Sequence, residues 1–564
     1  MVNWLNTKWF EDTLKFSIGV LILVIANQWS AQFFSRFDLT EEKRYSIKPA
    51  SKEILESLDD KIYVDVYLEG DLNSSFKRFQ KSIKETLQEF ELYSNGKVVY
   101  NFIDPGTALS QNARNEFMSE LASKGIQPTN IIDTRDGQRT EKIIFPGAVV
   151  SYGTAEKGVM LLQGLQGEEQ LNSSIENIEY NLIKTIYQLT SVERKNIVFV
   201  QGHGEADSAR IFSLQSALFN FYNIQNHTIS EEPELPNADL AIIIKPKSKW
   251  NEEDKYKLDQ FIMKGGKALF LIDQMDANMD SANHERNLSF AYETGLDDML
   301  FRYGVRINPD LVQDNNAALY PIVTGQVGDQ PQITPIPWPF FPVLNHYGNH
   351  PLSKNMDAVL GRFVNTIDTV KAAGIHKTPL IMTSTYSRSI ASPAQVSVAD
   401  LRKNLKPELL NKSYIPVAWL LEGSFTSVYK NRFLPSNANK SSFIEKGLDS
   451  KIIVIGDGDL AINDVNMETG EPLPLGRFNF QPQMNFANES FLLNAISYLI
   501  DENGIITARN KEIKIRPLDK VKVNQEKLYW QTINLLLPVF LVCLLGVVYV
   551  QLRKRKYSNF RKGE

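Results

Sequence analysis

Apolar and polar residues alternate through 61–68 (KIYVDVYL) and the alternation stops at Gly70 and Asp71, which predicts a half-buried strand closed by a turn. Between 76 and 93 the spacing changes. Phe76, Phe79, Ile83, Leu87, Phe90 and Leu92 recur every three or four residues, the stripe of an amphipathic helix. Residues 98–106 (VVYNFIDPG) predict a second strand stopped by Asp-Pro-Gly, and 113–125 a second helix with glycine at its end. Two strands are then expected around 143–152 and 158–165, followed by a helix with Leu171, Ile175, Ile178, Leu182, Ile186 and Leu189 on one face. A second pattern begins at 195–200 (KNIVFV), a continuous apolar strand of the kind buried on both faces of a parallel sheet. It runs into Gln201-Gly202-His203-Gly204-Glu205 and a helix over 208–222. Next come a strand at 239–244, a helix at 251–263 closed by Gly265 and Gly266, and a strand at 268–272 that ends at Asp273. Further strands are expected at 379–384, 415–421 and 451–455. Residues 315–351, rich in Pro, Gly and Asn and containing PIPWPFFPV, read as a surface excursion.

The fold class is therefore α/β. The order βαβα-ββα of residues 36–192 is that of a thioredoxin-like layer, without the cysteines of a redox enzyme, and 193–520 reads as a doubly wound unit whose strand-end loops face one side.

Two apolar segments frame this body. Residues 529–552 contain no charged residue and are long enough to cross a bilayer as a helix; the RKRKYSNFRK that follows places the C-terminus in the cytoplasm by the positive-inside rule. Residues 14–34 have a shorter apolar centre, Ile18 to Ala26. No small-residue cleavage site follows, and bulky Trp29, Phe33 and Phe34 stand in its place, so an uncleaved anchor is expected. Two transmembrane helices leave both termini (1–13 and 553–564) in the cytoplasm and the body on the far side of the membrane. Gly19, Pro538 and Gly546 are the positions in these spans where another helix could pack closely.

Charge sharpens the picture. The whole chain carries −5; the last twelve residues hold a local +5 and the first 35 balance, so 36–552 carries −10. An acidic body without a basic stripe argues against nucleic acid as a partner. The single cysteine, Cys543, lies inside the second apolar segment, which excludes an intrachain disulfide and a cysteine-based metal site.

Candidate chemistry is sparse. His203 and Glu205 could form an acid/base pair where a nucleophile elbow would sit, but Gly204 occupies the nucleophile's place. Gly456-Asp457-Gly458-Asp459-Leu460-Ala461 matches a dinucleotide fingerprint in letters only, because no helix is expected after it. Asp457, Asp459 and Asp464 could hold a hard cation, although the spacing is not that of an EF-hand. His346 and His350 are spaced like helical zinc ligands in a segment unsuited to helix, and Gly265-Gly266-Lys267-Ala268 lacks the pattern of a Walker A loop. Any ATP hydrolysis must then be done by a partner, and no cofactor is expected.

Several of these residues recur as an ordered set: Phe37-Asp38-Leu39-Thr40 with Lys43, Arg44, Tyr45 and Ser46; Phe102-Ile103-Asp104-Pro105; Gly202-His203-Gly204-Glu205; Gly456-Asp457-Gly458-Asp459. Later come Phe491-Leu492-Leu493-Asn494-Ala495 with Tyr498-Leu499, the stretch from Lys511 through Arg516-Pro517-Leu518-Asp519-Lys520, and Trp530, Asn534 and Leu537-Pro538. The set resembles the ABC-transporter auxiliary proteins, and in particular their gliding-motility-associated branch in Bacteroidota. That resemblance implies a non-catalytic membrane subunit working with an ABC permease and a cytoplasmic ATPase, and a flavodoxin-type, glutamine-amidotransferase-like module without its catalytic cysteine. A periplasmic protein or glycan ligand would then be sought at the strand-end loops carrying His203, Glu205, Asp273, Asp457 and Asp459. A tethered periplasmic hydrolase or transferase using His203 and Glu205, and a purely structural scaffold, are the alternatives.

Overall fold

The computed structural model describes residues 8–32, 46–510 and 525–558, apart from 107–109, 136–137, 163–167, 192–193, 285–286, 328–329, 403–405, 482–483, 502–503 and the single residues 220, 233, 355, 437 and 439. Motif residues 37–45 and 511–520 lie outside the described residues. The chain forms two units, Met1–Lys511 and Glu512–Glu564.

The first unit opens with helix α1 (Lys8–Gln32), whose described side chains at 12–25 are all exposed. Among the described residues one helix is long and apolar enough to cross a membrane, and it is Lys527–Arg555 in the second unit. One of the two expected spans is thus supported; in α1, Lys8, Glu11, Asp12 and Lys15 occupy the first half and leave a shorter apolar run.

After α2 (Pro49–Glu56), β1 (Ile62–Val66) leads into α3 (Ser74–Tyr93), which starts where the Asn73 side chain accepts the backbone N–H of Phe76 at 3.0 Å. β2 (Val98–Phe102) returns parallel to β1. Then follow α4 (Gln111–Ser123), the hairpin β3 (Thr129–Arg135) and β4 (Gln138–Ile144), β5 (Gly147–Tyr152), β6 (Ala155–Met160) and α5 (Glu168–Thr190). β5 lies antiparallel to β1 and to β6, so the sheet order is β2-β1-β5-β6. Inward residues of β1 (Ile62, Val64, Val66) meet Phe79, Ile83 and Leu87 of α3 and Leu182, Ile183 and Ile186 of α5 in one buried cluster. The β3–β4 hairpin, which pairs only with itself, has a polar or charged residue at most positions, and no apolar alternation announces it.

Strands β7 (Asn196–Gln201), β8 (Asn223–Thr228), β9 (Leu240–Ile244) and β10 (Lys267–Leu271), with α6 (Phe212–Phe219) and α7 (Glu252–Met263) between them, begin the second sheet. Its eight strands run in the order His346–Tyr347, Ile375–Met382, Pro416–Thr426, Lys446–Ile455, β10, β9, β7, β8. Lys446–Ile455 and the four labelled strands are parallel, whereas the other three add antiparallel neighbours, so the sheet is mixed rather than wholly parallel. β9 is buried at all five positions. Leu240, Ile242 and Ile244 pack with Phe491, Leu492 and Ile496 of the helix Asn488–Ile500, while Ala241 and Ile243 face Leu258 and Ile262 of α7. Helices cover both faces of the parallel strands, which accounts for the unbroken apolar run.

Residues 315–351 depart from expectation. They form a long hairpin, Ala317–Val327 with Gln330–Leu344, and Trp338, Phe340 and Phe341 are buried in an aromatic cluster with Phe363 and Phe478 rather than spread over the surface. The Trp338 and Phe341 ring centroids lie 4.6 Å apart. Proline is compatible with this strand because the hairpin has only short neighbours and its register is interrupted at two places. Val323 and Ile333, farther along the hairpin, are exposed.

Candidate functional site

From β7 the chain passes to β8 at the edge and then to β9 on the other side, so the strand order reverses between β7 and β9. Loops leaving the carboxyl ends of such strands flank the crevice where open α/β sheets bind ligands. His203 and Glu205 follow β7, Asp273 follows β10, and Asp457 and Asp459 follow Lys446–Ile455. The structure sorts these five residues into two groups.

The first group is a closed turn. Gly202 and Gly204 have φ of 128° and 74°, a region a side chain would strain, and between them His203 folds inward. Its ring stacks on Trp250, centroids 4.3 Å apart and planes 16° off parallel. Nε2 is 3.3 Å from Asp254 Oδ2 and Nδ1 is 3.6 Å from Glu205 Oε1. Glu205 Oε2 accepts the His203 N–H at 2.6 Å, and the His203 carbonyl accepts the N–H groups of Lys247 and Ser248, both at 2.9 Å. Asp254, in turn, accepts from Asn251 Nδ2 at 2.7 Å and lies 3.0 Å from Lys257 Nζ. With 5% of His203 and 8% of Glu205 exposed, these contacts tie the turn to the start of α7 and bury both groups.

The second group centres on a residue that the apolar pattern passes over. Lys245 directly follows β9, has φ of 54°, and sends its ammonium between Asp273 Oδ2 at 2.8 Å and Asp459 Oδ1 at 2.5 Å. A lysine in left-handed conformation is uncommon and persists only where the surroundings hold it. Asp273 also accepts the Gly458 N–H at 2.5 Å. Asp457 is a receptor for backbone N–H groups, from Arg362 and Asp459 at 2.8 Å each and from Leu460 at 3.1 Å. Arg362 grips Asp464 with both terminal nitrogens, at 2.7 and 3.0 Å. Four chain segments far apart in sequence are therefore joined by buried charge.

The electrostatics differ between the three carboxyls. Burial, reinforced by Asp273 and Asp459, pushes Asp457 well above the usual carboxylate range. Burial also raises Asp273, against the opposing pull of Lys245. At Asp459 burial acts upward too, but Lys245, Arg362 and Arg210 outweigh it and hold the group below its ordinary value. Burial opposes the Lys245 charge, and its two carboxylates reverse that effect and keep the ammonium above the ordinary lysine range.

Other motif readings are corrected by the same geometry. Asp457, Asp459 and Asp464, which by residue type could hold a cation, meet Lys245 and Arg362 as their positive charges instead, and among the described residues no group of three His, Cys, Asp or Glu is arranged to hold a metal. Gly456 and Gly458 serve close packing instead of a pyrophosphate: a Cβ at Gly456 would lie 2.4 Å from the Asn365 carbonyl oxygen, and one at Gly458 2.7 Å from Lys245 Cβ. A short 3-10 turn, Asp459–Ala461, follows them. Gly266 abuts the Phe261 ring at the end of α7. His346 and His350 are half-buried and diverge to different tyrosines, His346 toward Tyr414 and His350 toward Tyr498. In α1 and in the helix Lys527–Ser558, a Cβ at Gly19 or Gly546 would meet nothing within 4 Å, and Pro538 lies inside the latter helix.

A family model described as an ABC-type uncharacterized transport system matches residues 194–495. The chain belongs to this transport-system family. A domain of unknown function matches 41–151, the part containing β1 to β5. An uncharacterized protein of Borreliella burgdorferi is 24% identical over 519 residues, covering 87% of this chain and 94% of its own. Among solved structures, the mmIFT52 N-terminal domain overlaps 54% of this chain and 96% of its own at 14% identity and a TM-score of 0.30. A thua-like protein from Parabacteroides merdae overlaps 58% and 94% at 9% identity and a TM-score of 0.25. The family match begins just before β7 and ends inside the helix Asn488–Ile500, so it encloses the whole Lys245 cluster and the His203 turn.

Proposed function

We propose that this protein is a non-catalytic, membrane-anchored accessory subunit that associates with the permease and ATPase of an ABC-type transport complex, in keeping with its resemblance to the gliding-motility-associated branch of auxiliary proteins. The observation that carries the reading is the coincidence, in one chain, of the transport-system family region with a C-terminal helix, Lys527–Arg555, apolar enough to cross a membrane. Arg553, Lys554 and Arg555 at the end of that helix favour a cytoplasmic C-terminus. In this reading α1 is a second anchor at the bacterial inner membrane, residues 36–520 lie in the periplasm, and Gly19, Pro538 and Gly546 mark helix faces that meet the permease. The thioredoxin-like reading of 36–192 draws support from the β2-β1-β5-β6 order, and the amidotransferase-like reading of 193–520 from the parallel strands with helices on both faces.

A non-enzymatic role is supported by how His203 and Glu205 are engaged, since a general base needs a face open to substrate. The Lys245 cluster fits a lock that keeps four strand-end segments moving as one piece, a property suited to relaying ATP-driven motion to a periplasmic protein or glycan. The test is affinity purification of the full-length protein in mild detergent. Recovery of a permease and an ATPase with vanadate-sensitive turnover supports the reading, with loss of both on Gly546→Leu and retention on His203→Asn. Recovery of the protein alone across several detergents overturns it.

A further inference from the structure

Away from the strand-end loops, the first unit contains a cavity of about 520 Å³ between α5, the start of β6, the segment after α6 and the helix Asn488–Ile500. Its walls carry three lysines, Lys157, Lys184 and Lys195, and four aromatic rings, Tyr180, Tyr187, Phe221 and Tyr222. Lys157 Nζ lies 3.5 Å from the Phe221 ring centroid and donates to Gln188 Oε1 at 2.7 Å; Lys184 Nζ is 5.5 Å from the Tyr180 centroid. Among the described residues neither Lys157 nor Lys184 has a carboxylate partner. The acidic groups on the same walls are engaged: Glu156 sits 2.9 Å from Lys124, and Asp501 accepts the Ile506 N–H at 3.2 Å. Lys195 is 3.5 Å from Asp239, and exposed Arg194 adds a further positive charge to the lining.

We propose that this cavity is a binding site for a small organic anion, a phosphate or carboxylate borne on a planar apolar body. Two partly buried ammonium groups share these walls with no carboxylate partner among the described residues, and an anion placed between them offsets their charge while forming charge-assisted hydrogen bonds. Their setting is visible in their acidity: burial, with Lys184 adding repulsion, pushes Lys157 down to about 7, and burial lowers Lys184 as well. The rings supply the apolar contact, and the volume falls within the roughly 300–1,000 Å³ of small-molecule sites. Tyr222 Oη, 3.4 Å from Ser497 Oγ, and Tyr180 Oη, donating to Asn494 Oδ1 at 3.1 Å, fix two of the rings by hydrogen bonds to the helix Asn488–Ile500. The site is independent of the accessory-subunit reading.

Calorimetric titration of the full-length protein in detergent with phenyl phosphate and with inorganic phosphate tests the assignment. Saturable binding of phenyl phosphate is expected, weakened by about tenfold or more in each of Lys157→Met and Lys184→Met, equivalent to at least about 1.4 kcal/mol. Phe221→Leu should weaken phenyl phosphate and leave inorganic phosphate unchanged. A measurement without variants accompanies it: lysine acylation read by mass spectrometry, in which phenyl phosphate should protect Lys157 and Lys184 selectively. Absence of saturable binding at millimolar phenyl phosphate, equal affinity in the folded lysine variants, or acylation of both lysines unaffected by the probe would each overturn the proposal.

Discussion

Replacing Lys245 by Met keeps the length of the side chain and removes the charge on which the strand-end cluster is built. At 2.8 and 2.5 Å from Asp273 and Asp459, and at an effective dielectric of about 20, each attraction amounts to roughly 6–7 kcal/mol, much of it offset by the desolvation of three buried charges. The net loss is not that sum. It is the penalty for leaving Asp273 and Asp459 buried beside a third carboxyl, Asp457, without a counter-ion, about 3–5 kcal/mol for a broken buried pair. At about 2 °C per kcal/mol, a generous conversion for a body larger than 250 residues, the thermal midpoint should fall by on the order of 6–10 °C, followed by tryptophan fluorescence of the full-length protein at pH 7. The deficit should shrink as pH falls. Without the ammonium both carboxyls take folded-state pKa values above their unfolded ones, so their penalty is fully present only above the folded values and disappears as protonation neutralises them. Asp273→Asn and Asp459→Asn added to Lys245→Met should restore much of the loss. A single variant as stable as the parent at pH 7, or a deficit that does not change between neutral and acid pH, would refute the account of the cluster as a charge-neutralised lock.

Three other outcomes follow from particular contacts. Gly456→Ala should destabilise by about 2 kcal/mol or more, because the added Cβ would lie 2.4 Å from the Asn365 carbonyl, a backbone atom that cannot rotate away; equal unfolding midpoints would contradict this. Trp338→Ala should cost about 3–5 kcal/mol and free the Phe341 and Phe363 rings, read as loss of near-ultraviolet dichroism, whereas a surface excursion would tolerate the change. Lys157→Met should stabilise the unliganded protein, most strongly below pH 7, where the native state buries the charged amine. Because this lysine's folded pKa of about 7 lies below the ordinary 10.5, native stability rises with pH across that window, so the advantage of Met should fade between pH 7 and 10.5; a constant difference in thermal midpoint would contradict the burial of a charged amine there.

Much of the architecture was legible in the chain itself because it rests on periodicity. The alternation at 61–68 and the three-and-four spacing between 76 and 93 became β1 and α3, and the unbroken run before His203 became a strand buried on both faces. The charge-free stretch at 529–552 became the helix that meets the length and hydropathy needed to cross a membrane. Each is a local property, written in the residues that form the element. The loops carrying Asp273, Asp457 and Asp459 were also foreseeable, since the carboxyl ends of parallel strands follow from strand order.

What the tertiary structure alone decided is which side chains meet. Lys245 stands directly after five aliphatic residues, and that charge at the end of a buried strand was the one available signal of its role. Its partners, however, lie 28 and 214 residues away in sequence, a separation no local pattern spans. The GHGE turn advertised an acid/base pair through its letters, and only packing against Trp250 and Asp254 turned it into a buried strut. In PIPWPFFPV, prolines mimicked a surface loop while Trp338 and Phe341 were core residues of a hairpin. Periodicity reports the face that a residue presents, whereas chemistry depends on which face it meets, and that is settled by the long-range pairing of the strands.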